Sequence, residues 1–397
     1  MATNEILGGK IPDDPNAVLV GRVWSRKLGG PVCVKVENGD LIELSELGHT
    51  SSDILELDNV AQAVKEAQGS RLGSLGDSLS APAWQTNPIE NTLLAPVDLQ
   101  CIKGCGVTFA VSALERVIEE RARGDATLAQ EIRHQIEQII GGRLGTVKPG
   151  TLEAQQLKDH LIEIGFWSQY LEVAIGPDAE VFTKAAPMSA VGTGDYVGVR
   201  SDSAWNNPEP EVVLLVNSRG QVVGASLGND VNLRDFEGRS ALLLGKAKEN
   251  NAACAIGPFV RLFDENISLD DIARATVTLE VHGEDDFSLV ESVSMTEISR
   301  SPRELVDQAM GEHHQYPDGM ALFLGTLFAP TVDRDCEGLG FTHKTDDVVS
   351  ISSPELGTLT NKVTNCSTAA PWTFGIRALM QNLAERGLLS DQIDQNN

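Results

Sequence analysis

Residues 208–235 read PEPEVVLLVNSRGQVVGASLGNDVNLRD. Two apolar, β-rich runs, Val212–Val216 and Gln221–Leu227, flank Ser218-Arg219-Gly220, a pattern that predicts a β-hairpin. Glu209 and Glu211 stand two apart at the start of the first strand, so both side chains point to one face. Asp230 closes the second strand. With a two-residue loop at Ser218-Arg219, Asp230 returns near Glu209 on that face, whereas a slip of one residue would carry it to the other. The stretch permits three carboxylates to converge. Taken alone, the Glu-x-Glu pattern more often describes two solvated edge acids.

Three carboxylates facing one another repel strongly where water is excluded, and a divalent cation resolves the repulsion. Oxygen-only ligation favours Mg²⁺, Mn²⁺ or Ca²⁺ over Zn²⁺. Three protein ligands leave about three octahedral positions for water and substrate. A 2-oxo acid chelates such an ion through its keto oxygen and one carboxylate oxygen.

Beyond the hairpin, the 397-residue chain carries 31 Lys+Arg against 57 Asp+Glu, a formal charge of -26. That field repels phosphate backbones and anionic lipid, so neither nucleic acid nor a membrane surface is an expected partner. It also repels small anions, so an anionic substrate needs local cations or a metal at its site. No run approaches the roughly 20 apolar residues of a membrane-spanning helix. The N-terminal MATNEILGGKIPDDPNAV lacks a basic stretch followed by an apolar one, so no secretory leader is expected. Cys33, Cys101, Cys105, Cys254, Cys336 and Cys366 are scattered and form no CxxC pair, which suits thiols in a reducing cytoplasm.

The organisation expected is a small N-terminal β-rich domain at 1–90 and a catalytic domain at 91–397. Residues 17–59 read as short strands around an Asn38-Gly39-Asp40 turn, and Asp53–Ala67 as a helix capped by Ser51 or Ser52. The Gly-, Ser- and Pro-rich stretch 68–90 reads as a linker, and Pro96–Ile102 as the strand that follows it. Helical periodicity covers 110–140, broken at Gly124-Asp125, and 152–175. In the first of these, Glu115, Arg116, Glu119, Glu120, Arg121 and Arg123 read as a solvated face. Residues 181–260 and 274–299 are β-rich, and Pro302–Met310 is a helix capped by Ser299 or Ser301. No fixed-period repeat and no GxGxxG after a strand are present, so the fold class expected is α+β and β-dominated.

The order of motifs resembles the fumarylacetoacetate hydrolase family. That family shows an E-x-E-L strand, a hairpin, an n-D-v-t-x-R-d stretch, and a lysine about nine residues before Gly-Pro. Here these stand as Glu209 and Glu211, Asn229-Asp230-Val231-Asn232-Leu233-Arg234-Asp235, and Lys248 ahead of Gly257-Pro258. Val181–Ala185, Gly194-Asp195, Leu324-Gly325-Thr326 and Leu356–Asn361 match further pieces in consistent order between about residues 98 and 365. The resemblance implies a fumarylacetoacetate hydrolase-like catalytic domain. It implies Glu209, Glu211 and Asp230 as ligands of Mg²⁺, or of Mn²⁺ in its place, with Lys248 beside the keto group. It also implies Lys184, Arg234, Asp235 and Thr326 as substrate contacts, a 2-oxo acid as substrate, and a homodimer or dimer of dimers.

One departure bears on the reaction. Hydrolytic relatives carry N-Y-x-x-H-x-x-E, in which His and Glu activate water, whereas this chain has Thr108-Phe109-Ala110-Val111-Ser112-Ala113-Leu114-Glu115. Serine lacks the near-neutral pKa that lets histidine activate water. The long N-terminal module and the T-F-x-x-S form resemble the family's 2-keto-3-deoxy sugar-acid (pentonate) dehydratases. The expected activity is a Mg²⁺-dependent hydro-lyase that converts 2-keto-3-deoxypentonate to 2-oxoglutarate semialdehyde, with Lys248, Glu115 and Ser112 as catalytic candidates and Glu115 as the base or, through a bound water, the acid. The alternative is a hydrolase that cleaves the C–C bond of a 2,4-diketo-3-deoxy acid or acylpyruvate.

Overall fold

The computed structural model describes residues 10–80, 91–139, 145 and 147–389. The decisive hairpin forms from strands Pro210–Val216 and Val222–Asp230. Its loop differs from the expected one. Asn217 N donates to Gln221 O at 3.0 Å, so the loop holds residues 218–220, with Gly220 at φ 75°. Leu215 then pairs with Gly224 and Val216 with Val222, which leaves Val223 as a bulged extra residue. Either addition alone would turn the strand face over. Together they restore it, and Asp230 N donates to Glu209 O at 3.0 Å.

Both faces of this hairpin are buried, so hydrophobicity does not choose its register. Val212, Leu214 and Val216 pack with Val277, Leu279, Ile351 and Leu359 of a second sheet. Val213 and Leu215 pack with Ile54, Leu55, Val60 and Val64 of two short helices. Close packing supplies part of the register instead. A Cβ on Gly228 would lie 2.2 Å from the Phe323 ring and 2.6 Å from Val213 Cγ2, so only glycine fits there.

The hairpin lies inside an 11-stranded sheet. From one edge its order is Arg71–Ser74, Asp40–Glu43, Gly30–Glu37, Leu19–Ser25, Cys254–Leu262, Val222–Asp230, Pro210–Val216, Met320–Phe323, Cys101–Gly106 and Glu180–Ala185, with Asn91–Leu94 also pairing Leu19–Ser25. The sheet runs through the boundary placed near residue 90: Leu19 pairs with Arg261 and Val20 with Val260. A five-stranded sheet of Ser288–Ser294, Thr276–His282, Val348–Ser353, Gly357–Asn365 and Tyr196–Val199 covers one face. The result is the expected β-dominated α+β fold.

Several local expectations are corrected. The stretch read as a linker contains strand Arg71–Ser74 and helix Leu75–Ser80, while 81–90 lies outside the described residues. The strand expected at Pro96–Ile102 begins at Cys101, because Asp98 is spent on the helix start opposite: it accepts from Ser51 N at 2.7 Å and Ser52 N at 3.1 Å. That helix is capped by Thr50 in a Thr50–Asp53 capping box, and it stops at Leu55. A second helix, Val60–Glu66, starts after Asn59 at φ 50°. Residues 152–175 likewise split into Leu152–Glu163 and Gln169–Ile175, separated by Gly165 at φ 72° and restarted by the Ser168 cap. Of the two caps considered for Pro302–Ala309, Ser301 serves, accepting from Glu304 N at 3.2 Å.

Helices Ala110–Arg121, Ala126–Ile139, Leu152–Glu163 and Gln169–Ile175 form one layer around Val117, Ile118, Leu161 and Leu171. The first of these runs beside the carboxylate end of the hairpin. No helix among the described residues is long and apolar enough to cross a membrane.

Candidate metal centre

Glu209, Glu211 and Asp230 each place a carboxylate oxygen within 4.8 Å of the others, and all three side chains are buried. The bulged hairpin brings Asp230 beside Glu209, and two-residue spacing keeps Glu211 with them. Glu211 has neutral partners: Gly325 N donates to Oε2 at 2.7 Å and Thr326 Oγ1 to Oε1 at 3.2 Å. Gly325 sits at φ 101°, where a Cβ would strike Thr108 Oγ1 at 2.1 Å, so glycine is required to aim that N–H. Thr326, expected to contact substrate, therefore orients a member of the acidic triad.

Two lysines approach from neighbouring elements. Lys248, at the end of helix Leu244–Lys248, donates to Glu209 Oε2 and, at 3.1 Å, to Asp230 Oδ2. Lys184, from strand Glu180–Ala185, lies 2.7 Å from Asp230 Oδ1 and donates to the carbonyls of Lys248 and Val231. The Lys184–Asp230 approach is an ion pair without hydrogen-bond alignment, and Asp230 Oδ1 has no hydrogen-bond donor among the described residues.

The charges divide unevenly. Burial raises the Glu209 pKa, but Lys248 and Arg116 outweigh it and hold the carboxyl down to about 2. Glu211 goes the other way. Burial, then the negative charges of Asp230 and Glu209, push its carboxyl well above the usual range. Three buried carboxylates, one lacking a cationic partner among the described residues and another with an unbonded oxygen, fit a hard divalent cation.

The helix Ala110–Arg121 supplies a second tier. The side chains of Glu115, Arg116 and Glu119, read from sequence as solvated, are buried at 6%, 8% and 1% exposure. Arg116 Nη2 donates to Glu209 Oε1, and its Nη1 lies 2.6 Å from Glu119 Oε2 and 3.1 Å from Glu237 Oε2. Arg234 donates to Glu119 and Glu115, both at 2.6 Å, and its guanidinium lies 4.4 Å from the Trp205 ring centroid. Arg133 completes the chain with two bonds to Glu115, at 3.0 and 2.8 Å. Burial raises the Glu115 pKa, but Arg234 and Arg133 bring it below the usual value, so it is a carboxylate at neutral pH.

The remaining candidates are otherwise engaged. Ser112 Oγ donates to Phe109 O at 2.9 Å within the first helical turn. Asp235, expected among the substrate contacts, accepts from Ser203 Oγ and Ala204 N, both at 2.8 Å, and anchors that turn. Arg116, Glu119 and Glu237 were not singled out. The available signal was the spacing of 115, 116 and 119, which places these side chains on one stripe of a helix. Glu237 had no motif; burial is the main cause that lifts its carboxyl to about 7.

Comparison with known proteins agrees with this geometry. Residues 154–364 match the model of the fumarylacetoacetate (FAA) hydrolase C-terminal family. A probable 2-keto-3-deoxyxylonate dehydratase of Haloferax volcanii is 34% identical over 195 residues, covering 49% of this chain and 63% of that protein. A 2-dehydro-3-deoxy-D-arabinonate dehydratase of Saccharolobus solfataricus is 34% identical over 184 residues, covering 46% of this chain and 58% of that protein. The aligned stretches thus span less than two thirds of either relative. Among solved structures, the apo form of 2-keto-3-deoxy-D-arabinonate dehydratase superposes with a TM-score of 0.61 at 23% identity, covering 87% of this chain and 99% of that one. Its complex with magnesium and 2,5-dioxopentanoate gives 0.60 at 24% identity over 87% and 99%. At that identity these structures speak for the fold. With the family model spanning residues 154–364 and the acidic triad inside that span, the chain belongs to the fumarylacetoacetate hydrolase family.

Proposed function

We propose that this protein is a Mg²⁺-dependent hydro-lyase acting on a 2-keto-3-deoxy sugar acid, a pentonate, and releasing 2-oxoglutarate semialdehyde. The observation that carries the reading is the buried triad of Glu209, Glu211 and Asp230 with Lys248 bridging two of its members. The names of the two sequence relatives support the substrate class. The neighbouring structure's magnesium and 2,5-dioxopentanoate support the cofactor and product.

Glu209, Glu211 and Asp230 would hold the cation, which when bound supplies Lewis acidity to the 2-oxo acid head. Lys248 stabilises negative charge growing on the keto oxygen as the C3 proton leaves. Glu115, ionised at neutral pH, takes that proton. The C4 hydroxyl departs with a proton as water, and the unsaturated product tautomerises to the C5 aldehyde. Arg234 positions Glu115, Thr326 positions Glu211, and Lys184 holds Asp230. Ser112 engages its hydroxyl with Phe109 O, so it supplies no water-activating base, and this weighs against the hydrolase alternative. A homodimer or dimer of dimers in the cytoplasm belongs to the same proposal; the six free cysteines suit a reducing compartment.

The test is incubation with both enantiomers of 2-keto-3-deoxypentonate, with and without Mg²⁺. One enantiomer is expected to give a five-carbon aldehyde only with the metal. Two smaller acids, or released carbon dioxide, would overturn the dehydratase reading.

A further inference from the structure

The chain carries a formal charge of -26, so an anionic substrate depends on cations at the site itself. Four buried cations surround the triad and its supporting carboxylates. Lys184 spends its ammonium on Asp230 and the carbonyls of Val231 and Lys248. Arg234 is tied to Glu115, Glu119 and Pro330 O. Lys248 bridges Glu209 and Asp230. Arg116 differs in two respects. Its exposure, 8%, is slightly above the 0%, 1% and 3% of Lys184, Arg234 and Lys248. It also holds Glu209 through one nitrogen, Nη2, while Nη1 donates to Glu119 and lies 3.1 Å from Glu237 Oε2 in an ion pair.

Both oxygens of Glu209 are taken, Oε1 by Arg116 and Oε2 by Lys248. A divalent cation on the triad competes with these like charges for the same carboxylate. We infer that Arg116 is the exchangeable partner: it yields Glu209 to the cation and turns Nη2 to the carboxylate end of the incoming 2-oxo acid, while Glu119 and Glu237 keep the guanidinium at the site. This rests on the metal reading above. The guanidinium suits the task, since its charge-assisted N–H bond to a carboxylate is strong and it stays charged at any working pH. Nothing covalent changes; one carboxylate replaces another on the same donor.

The exchange makes Arg116 oppose the metal and favour the substrate, two effects of opposite sign that a merely structural role would not produce. The experiment is calorimetric titration of full-length wild type and Arg116→Gln, first with Mn²⁺ alone, then with pyruvate at saturating Mn²⁺. Pyruvate carries the 2-oxo acid head and has no C4 hydroxyl to lose. Arg116→Gln is expected to bind Mn²⁺ several-fold more tightly, because Glu209 Oε1 is freed and a like charge removed. It is expected to bind pyruvate roughly ten- to hundred-fold more weakly, the scale of a lost charge-assisted hydrogen bond. Arg116→Lys keeps the charge without the fork and is expected to shift both constants the same way by less; it reads the same constants if the glutamine variant does not fold. Wild type that binds Mn²⁺, with variants that bind Mn²⁺ no more tightly or pyruvate no more weakly, overturns the exchange alone. Wild type that binds no Mn²⁺ overturns the metal reading and the exchange with it.

Discussion

Lys248 and Asp230 form a buried ion pair, Nζ to Oδ2 at 3.1 Å, and the same ammonium holds Glu209. One lysine thus serves two members of the triad, and the third, Glu211, meets only neutral donors among the described residues. The arrangement leaves Glu211 without a cationic partner among the described residues where the proposed cation would sit, beside the lysine assigned to the keto oxygen.

Lys248→Met is expected to lower kcat about 10²–10³-fold, the usual loss when one donor to a developing oxyanion is removed. It should also destabilise the chelator-treated protein, because Glu209 and Asp230 lose a shared cation while staying buried. Steady-state rates at saturating Mg²⁺ and thermal melts in EDTA check the two parts. A near-normal kcat in a folded variant removes Lys248 from the mechanism.

Glu211→Gln removes the carboxylate that its neighbours repel. The melting temperature in EDTA is expected to rise above wild type, and the added stabilisation that Mg²⁺ gives wild type by mass action should vanish. Activity of wild type should disappear in EDTA and return with Mg²⁺ or Mn²⁺. Full activity in excess chelator would falsify the metal role outright.

Glu115→Gln keeps the size of the side chain but cannot take a proton. A loss of about 10²–10⁴ in kcat is expected for a general base, with KM little changed. An effect confined to KM would make Glu115 a support for Arg234 and Arg133 and send the search for the base elsewhere.

His343 gives a pH prediction away from the site. Burial is the main cause that lowers its pKa below 6.5, with Asp347 Oδ2 at 3.4 Å opposing the shift. Between the lowered folded value and 6.5, the unfolded chain binds a proton that the folded chain does not. This group's contribution is therefore present above pH 6.5 and lost as pH falls, with a slope of at most about 1.4 kcal/mol per pH unit. Urea melts of wild type and His343→Asn between pH 5 and 8 check it; equal slopes would exclude the assignment.

Legibility varied with the kind of signal. Cap chemistry was readable at Pro302–Ala309, where Ser301 was one of two candidates, and misplaced where Thr50, Ser51 and Ser52 stood together, because a partner three residues on decides among them. The hairpin was readable from its two apolar runs, but not its loop. Both faces are buried, so the pattern carries no face preference, and the bulge at Val223 leaves no mark in composition. Glu115, Arg116 and Glu119 looked like a solvated face because charge on a helix usually meets water; here the helix meets Arg133, Arg234 and Glu209.

Local spacing gave the β-dominated class and a hairpin that permits Glu209, Glu211 and Asp230 to converge, since period-two alternation is a property of neighbours in the chain; the resemblance of the ordered motifs gave the family, the triad as metal ligands and the lysine expected beside it. Only the folded chain could assign partners to the charges: Arg116 to Glu209, Arg234 to Glu119, Thr326 to Glu211, Asp235 to the turn at Ser203. Charged side chains buried out of water take their partners from whatever the packing brings close, and those partners here come from segments as much as 119 residues apart.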